Sequence, residues 1–234
     1  YPTTLGSGGG AYDSSTHFGG NGGNALMLFA SSTVEVNGTI NASGTPNPPG
    51  ATAGGAGAGG SILINASTIK GTGLLEARGG NKGTWTYSTG GAGGRIALRY
   101  SSSYQFTGRF NVTSGTVYTS APPPHNGSIA LIDLANNDLY IVGGGTGGAF
   151  TPNDGQKDSV PTFDGVYNFR NIYIGNVTYG ATVWMWGNYT NDTNDIGIVL
   201  NATGNITVYA NSFIMLAGTG FNGSKSATAK GAGP

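Results

Sequence analysis

The chain has 234 residues, of which 45 are Gly and none is Cys, and its ten Lys and Arg balance its ten Asp and Glu. Scattered cations without a cluster exclude phosphate neutralisation and hence a nucleic-acid partner. The lack of any long apolar run excludes a membrane span, and the lack of Cys excludes thiolate zinc sites and disulfide scaffolds. Hydrophobic residues at 37% and aromatics at 10% are enough for a core, which argues against disorder.

In chain order, Tyr1-Pro2-Thr3-Thr4 contains neither an initiator Met nor the apolar run of a signal peptide, so the chain is expected to be a processed form or a segment of something longer. A Gly-rich link, Gly6–Gly23, precedes the apolar run Ala25–Phe29, the alternating Val34-Glu35-Val36, Gly38, and a short segment at Thr39–Asn41. The same order then recurs. After the link Gly44–Gly60 come Ser61–Ile64, Ile69-Lys70, Gly73 and Leu74–Glu76. After the link Gly79–Gly94 come Arg95–Leu98, Tyr104–Phe106, Gly108 and Arg109–Val112. After the link Gly115–Gly127 come Ser128–Ile132, Leu139–Ile141 and Gly143. Gly38, Gly73, Gly108 and Gly143 are each 35 residues apart.

Degenerate copies continue through Phe169–Ile174, Thr182–Trp186, Gly197–Thr203, Ile206–Tyr209 and Phe213–Leu216, before a Gly-rich tail at 218–234. Gly197–Thr203 echoes Gly60–Ser67, which places Asn201 and Asn65 at equivalent repeat positions.

Three short strands at a fixed period describe one coil of a parallel β-helix. The expected fold is all-β, a single solenoid over 1–234 with about six coils, regular over 20–145 and degenerate over 166–218. An antiparallel β-sandwich is the alternative, although Asn-Gly hairpin turns between strands are missing. The recurring Gly residues suit corners with positive φ. The Gly-Gly-X runs at 19–24 and 54–60 lack the following helix that a phosphate loop needs; they suit extended three-fold helices packed on one another. The 35-residue register sets Glu35 above Lys70 and then Gln105, a solvated cross-strand pair.

The run Gly90-Gly91-Ala92-Gly93-Gly94-Arg95-Ile96, following Ala77-Arg78-Gly79-Gly80, resembles the Gly-rich repeats of large secreted or surface proteins, which are taken to be β-helical in the broad pectate-lyase-like sense. The resemblance covers roughly residues 20–145 and implies a fold and a surface location without implying an activity.

N-glycan acceptor triplets occur at Asn37, Asn41, Asn65, Asn111, Asn126, Asn176, Asn188, Asn191, Asn201, Asn205 and Asn222, which is 11 of 22 asparagines. Ser and Thr fill 46 of 234 positions, so composition alone gives roughly four such triplets. A coat of covalent N-glycans would hydrate a surface that charge does not, and it implies export. Catalytic groups are sparse. Asp154, Asp158 and Asp164 share one loop and are the candidate Ca²⁺ ligands. His17 and His125 stand in links without triad partners. Trp184 and Trp186 share one strand face.

The expectation is therefore a structural subunit or repeat unit of a glycosylated extracellular filament, sheath or appendage that contacts copies of itself head-to-tail, without a catalytic role. A carbohydrate-active or carbohydrate-binding β-helix is the first alternative, and a monomeric adhesin or surface-layer module the second.

Overall fold

The structure, a computed structural model, describes residues 3–11, 18–47, 54–84, 88–117, 124–142, 149–150, 166–175, 182–184, 199–210 and 212–215. These residues form no helix and fifteen strands. In chain order the strands are β1 (Ala25–Glu35), β2 (Thr39–Asn41), β3 (Ser61–Gly71), β4 (Leu74–Glu76), β5 (Arg95–Phe106), β6 (Arg109–Asn111), β7 (Ser128–Asp133), β8 (Asp138–Val142), β9 (Ala149–Phe150), β10 (Val166–Phe169), β11 (Asn171–Ile174), β12 (Thr182–Trp184), β13 (Val199–Ala202), β14 (Ile206–Val208) and β15 (Phe213–Met215).

The fold is a parallel β-solenoid. Except where β7 meets β8, each strand pairs with its counterpart one repeat away; one sheet runs β1-β3-β5-β7-β8-β11-β14 and a second wall runs β2-β4-β6. Leu26, Ile62, Ile96 and Ile129 lie in one register row, and Leu28, Ile64, Leu98 and Leu131 in the next. Ile62, Ile64, Ile96, Leu98 and Ile129 are at most 1% exposed. These rows meet Ile40, Leu75 and Phe110 of the second wall to make the first core. The last full coil ends this core with aromatic rings: Tyr100 lies 5.6 Å from Tyr104, and Phe106 lies 5.4 Å from Phe110. The Glu35, Lys70 and Gln105 ladder forms as expected, with Lys70 Nζ 2.9 Å from Glu35 Oε2 on the surface.

Among the described residues the stack of coils is interrupted once, at the segment expected to continue it. Leu139–Ile141 does not repeat the place of Tyr104–Phe106. Instead β7 stops at Asp133 and β8 returns antiparallel beside it, with Ile132 opposite Leu139 and Ala130 opposite Ile141. The cause is the turn between them. Asp133 accepts hydrogen bonds from the Asn136 backbone N–H and side-chain amide at 3.0 and 2.9 Å, and Asn137 takes φ 55°, a left-handed conformation that Asn tolerates. Parallel stacking then resumes from β8 through β11 to β14, with β10 on β13 and β9, β12 and β15 forming the other walls.

This reversal moves the core to the other side of the sheet. Side chains alternate along a strand, and β7 is apolar on both faces: Ile129 and Leu131 join the first core while Ala130 and Ile132 join the second. The second core contains Leu139, Ile141, Ile172 and Ile174, with Phe169, Leu200 and Ala202 packed against it. One continuous sheet therefore carries two cores on opposite faces, joined at the β7–β8 seam.

The Gly-rich links of the first stack are a wall in their own right. Residues 55–60 have one neighbour for each third of their backbone donors. Gly55 and Ala58 donate to Gly10 and Ser7 at 2.9 Å, Ala56 and Gly59 donate to Thr89 and Ala92 at 2.8 Å, and Gly57 and Gly60 donate to Thr45 and Ala42 at 3.0 and 2.8 Å. Three residues per turn is the period of polyproline II, so every third N–H points the same way. Gly91 and Gly94 continue the pattern, donating to Gly80 and Ala77. The chains are so close that a Cβ on Gly57 would overlap the Asn21 carbonyl, and one on Gly91 the Gly57 carbonyl.

The reason for the repeating glycines differs from the expected one. Gly38, Gly73 and Gly108 do not have positive φ. A Cβ on Gly73 would overlap the Gly38 carbonyl, and one on Gly108 the Gly73 carbonyl, so close stacking is what requires Gly there. Positive φ occurs instead at Gly71 (119°), two residues earlier, at the corner leading out of β3. Gly143 lies outside the described residues.

Candidate functional site

Seven of the eleven acceptor asparagines are described. Asn37, Asn41, Asn201 and Asn205 are exposed, and Asn65, Asn111 and Asn126 are half-buried. Asn176, Asn188, Asn191 and Asn222 lie outside the described residues. Several of the seven side chains also hold coils together. Asn37 Oδ1 accepts the Thr72 N–H of the next coil at 3.2 Å, Asn111 donates to Glu76 Oε1 at 2.9 Å, and Asn201 Nδ2 donates to Asn168 Oδ1 at 2.8 Å. Asn65 and Asn201 sit in different walls, the seven-stranded sheet and the β10–β13 pair, so the sequence echo between them does not make them equivalent in space.

Among the described acidic groups, Asp133 and Asp138 face one another across the β7–β8 pair while Glu35 and Glu76 stand apart, and each of the four holds a hydrogen bond or ion pair. Asp138 is 3% exposed, and its carboxylate takes Arg170 Nε at 3.0 Å and Nη2 at 2.7 Å, with the Asn171 backbone N–H at 3.0 Å and Nδ2 at 2.9 Å. The Arg170 hydrogen bonds hold the Asp138 carboxyl below its ordinary range, and the same contact raises Arg170. Lys70 lowers Glu35 by a hydrogen bond. Burial pushes Tyr100 up to about 12 and raises Tyr104 and Tyr140 as well. All of these shifts move away from neutrality, the opposite of what a general acid or base needs near pH 7.

Among the described residues, no group of three or more His, Asp or Glu is placed to hold a metal ion. Asp154, Asp158, Asp164, His17 and Trp186 lie outside those residues, as does the side chain of Trp184. His125 is exposed, and its carbonyl accepts the Gly93 N–H at 3.0 Å. No helix among the described residues is long and apolar enough to cross a membrane.

The most unusual surfaces are the two ends of the long sheet. Among the described residues, β1 and β14 are its edge strands, and an edge presents unpaired N–H and C=O groups to solvent. On β1, Leu26, Met27 and Phe29 are 37%, 48% and 66% exposed. At the other end, Ile206 and Val208 of β14 are 46% and 45% exposed, and Phe213 and Ile214 of β15, the edge of the separate β9–β12–β15 sheet, are 55% and 36% exposed. The composition of Ala25–Phe29 pointed to the β1 end; the opposite directions of the edge strands were not read from the sequence, whose 35-residue period runs through the reversal. No family profile, curated protein or solved structure matches the chain.

Proposed function

We propose that the chain is a structural subunit or repeat unit of a glycosylated extracellular filament, sheath or surface appendage, built by head-to-tail contact between copies and without a catalytic role. The observation that carries this reading is the pair of apolar open edges at opposite ends of one sheet. A monomeric solenoid in water covers or charges such edges, whereas between Ala25 and Val34 of β1 and along β14 there is no charged side chain. Two different open ends make a heterologous contact, which propagates instead of closing. N-glycans on the exposed acceptors Asn37, Asn41 and Asn201 would hydrate the sides of such a fibre, and zero net charge removes long-range repulsion between units.

The test is sedimentation and electron microscopy of the purified glycosylated chain, with glycopeptide mass spectrometry. Filaments and at least three occupied acceptors are expected. A stable monomer at high concentration would favour the adhesin or surface-layer alternative, and fewer than three occupied sites would remove the glycan coat.

A further inference from the structure

The direction of the strands decides how copies can meet. β1, β3, β5 and β7 are parallel to one another, β8 is antiparallel to β7, and β11 and β14 are parallel to β8. The free edge at β14 therefore runs opposite to the free edge at β1. A simple head-to-tail contact cannot continue the parallel stack.

The molecule already contains a junction of the kind that can form. At the β7–β8 seam, two antiparallel strands meet with the first core on one face and the second core on the other. The feature of β7 that permits this is its apolar outward pair, Ala130 and Ile132, which the second core covers. The rows of the sheet carry these positions back to β1. Ala130 aligns with Ala97, Leu63 and Met27, and Ile132 with Arg99, Asn65 and Phe29. The outward pair is again apolar at β1, but here Met27 and Phe29 are exposed. On the other side of the seam, the Leu139 row runs through Ile172 to Ile206, and the Ile141 row through Ile174 to Val208. Ile206 and Val208 thus face the second core at its open end.

We propose that β14 of a second copy adds antiparallel to β1, with Val208 opposite Met27 and Ile206 opposite Phe29, so that the second core of one copy covers the outward face of β1 in the next. This rests on the filament reading and specifies its contact. Each copy would then repeat the internal seam, in a sheet of four strands up and three down with cores on alternating faces. Seven strands at roughly 4.8 Å give an axial rise of about 34 Å per copy.

The absence of Cys makes the contact testable by disulfide trapping. Opposed Cβ atoms on antiparallel strands lie about 4.5–5.5 Å apart, close to the 3.5–4.5 Å that a disulfide spans. Full-length glycosylated Met27→Cys and Val208→Cys chains would be mixed and oxidised with glutathione disulfide, and the double variant oxidised alone. The mixture is expected to give a covalent dimer, each single variant alone none, and the double variant a ladder of oligomers. Electron microscopy of the unmodified chain is expected to show the 34 Å repeat.

A dimer from Met27→Cys alone would mean a two-fold β1–β1 contact and overturn the proposal. Filaments of the unmodified chain without trapping in the mixture would also overturn it while leaving the filament reading standing. Absence of both filaments and trapping would remove the reading itself.

Discussion

In the wall formed by β1, β3, β5 and β7, coils are held together by what the side chains bury. Ile62, Ile64, Ile96, Leu98 and Ile129 are packed at most 1% exposed between ladders of backbone hydrogen bonds. In the neighbouring Gly-rich wall, the chains are held together by the absence of side chains, because the carbonyl of one segment occupies the space where the next would place a Cβ. Both walls are knitted by backbone hydrogen bonds between coils, but they respond differently to error. A side-chain wall that loses volume is left with a cavity beside it, whereas a backbone wall that gains volume has to separate and loses hydrogen bonds.

The largest expected effect is therefore in the Gly-rich wall. Gly91→Ala puts a methyl against the backbone of Gly57, which no rotamer change can relieve. Overpacking usually costs about 1–3 kcal/mol; here the obstacle is rigid main chain in a network of hydrogen bonds, so a loss above about 4 kcal/mol is expected. Urea unfolding of the variant would measure it. A loss below about 1 kcal/mol would show that the wall is looser than its geometry implies.

Next comes the side-chain wall. Ile64→Ala is expected to cost about 2–5 kcal/mol through lost burial and the cavity left behind. Leu63→Ala is the sharper test, because Leu63 points away from the first core yet is fully buried. An equal loss at Leu63 would establish that the sheet is covered on its outer face too, while a loss near zero would confine the energetics to one side.

Much of the first wall was legible in the sequence. The apolar runs and the 35-residue spacing gave the coils and the register that sets Glu35 beside Lys70, and the Gly-Gly-X composition suited three-fold packing. The reversal was not legible, because the numerical period runs straight through it: Leu139 and Gly143 are in step with Tyr104 and Gly108. The signal was local, Asp133 followed by Asn136-Asn137, and it lacks the Gly that marks commoner hairpin turns. The requirement for Gly at 73 and 108 was visible while its cause was not, since close approach between coils leaves no trace within one coil. Of the candidate sites, the acceptor triplets could be read directly, but their hydrogen bonds to neighbouring coils depend on the fold.

Asp138→Asn probes the place where the two stacks join, with a smaller expected effect than Ile64→Ala. The carboxylate, at the start of β8, binds Arg170 and Asn171 of the next coil within the second stack, and its folded pKa lies below its ordinary value. A depressed carboxylate contributes stability that is present above its unfolded pKa, about 3.9, and is lost as pH falls through the folded value. The variant is expected to melt lower than the native chain at pH 7, with the difference shrinking below about pH 4. A difference independent of pH between 7 and 2 would assign the effect to packing and not to the charge.

The smallest expected effect is at Gly38, and it separates two ways of assembling. Nothing lies within 4 Å of a Cβ built at Gly38, whereas the corresponding Cβ atoms at Gly73 and Gly108 overlap the carbonyl of the preceding coil. The difference arises because Gly38 belongs to the first coil of the described residues, and none of them stacks on its outer side. In the isolated chain, Gly38→Ala should leave the melting temperature nearly unchanged, as for a surface substitution that meets no neighbour. If copies instead stacked coil upon coil, a carbonyl of the added coil would occupy the space beside residue 38, as it does at Gly73, and the methyl would block growth. Addition of β14 to β1 places the incoming core on the opposite face of the sheet and leaves that corner open. Filament yield from Gly38→Ala should thus equal that of the native chain, measured by electron microscopy at matched concentration. Loss of filaments with an unchanged melting temperature would count against edge addition and in favour of stacked coils.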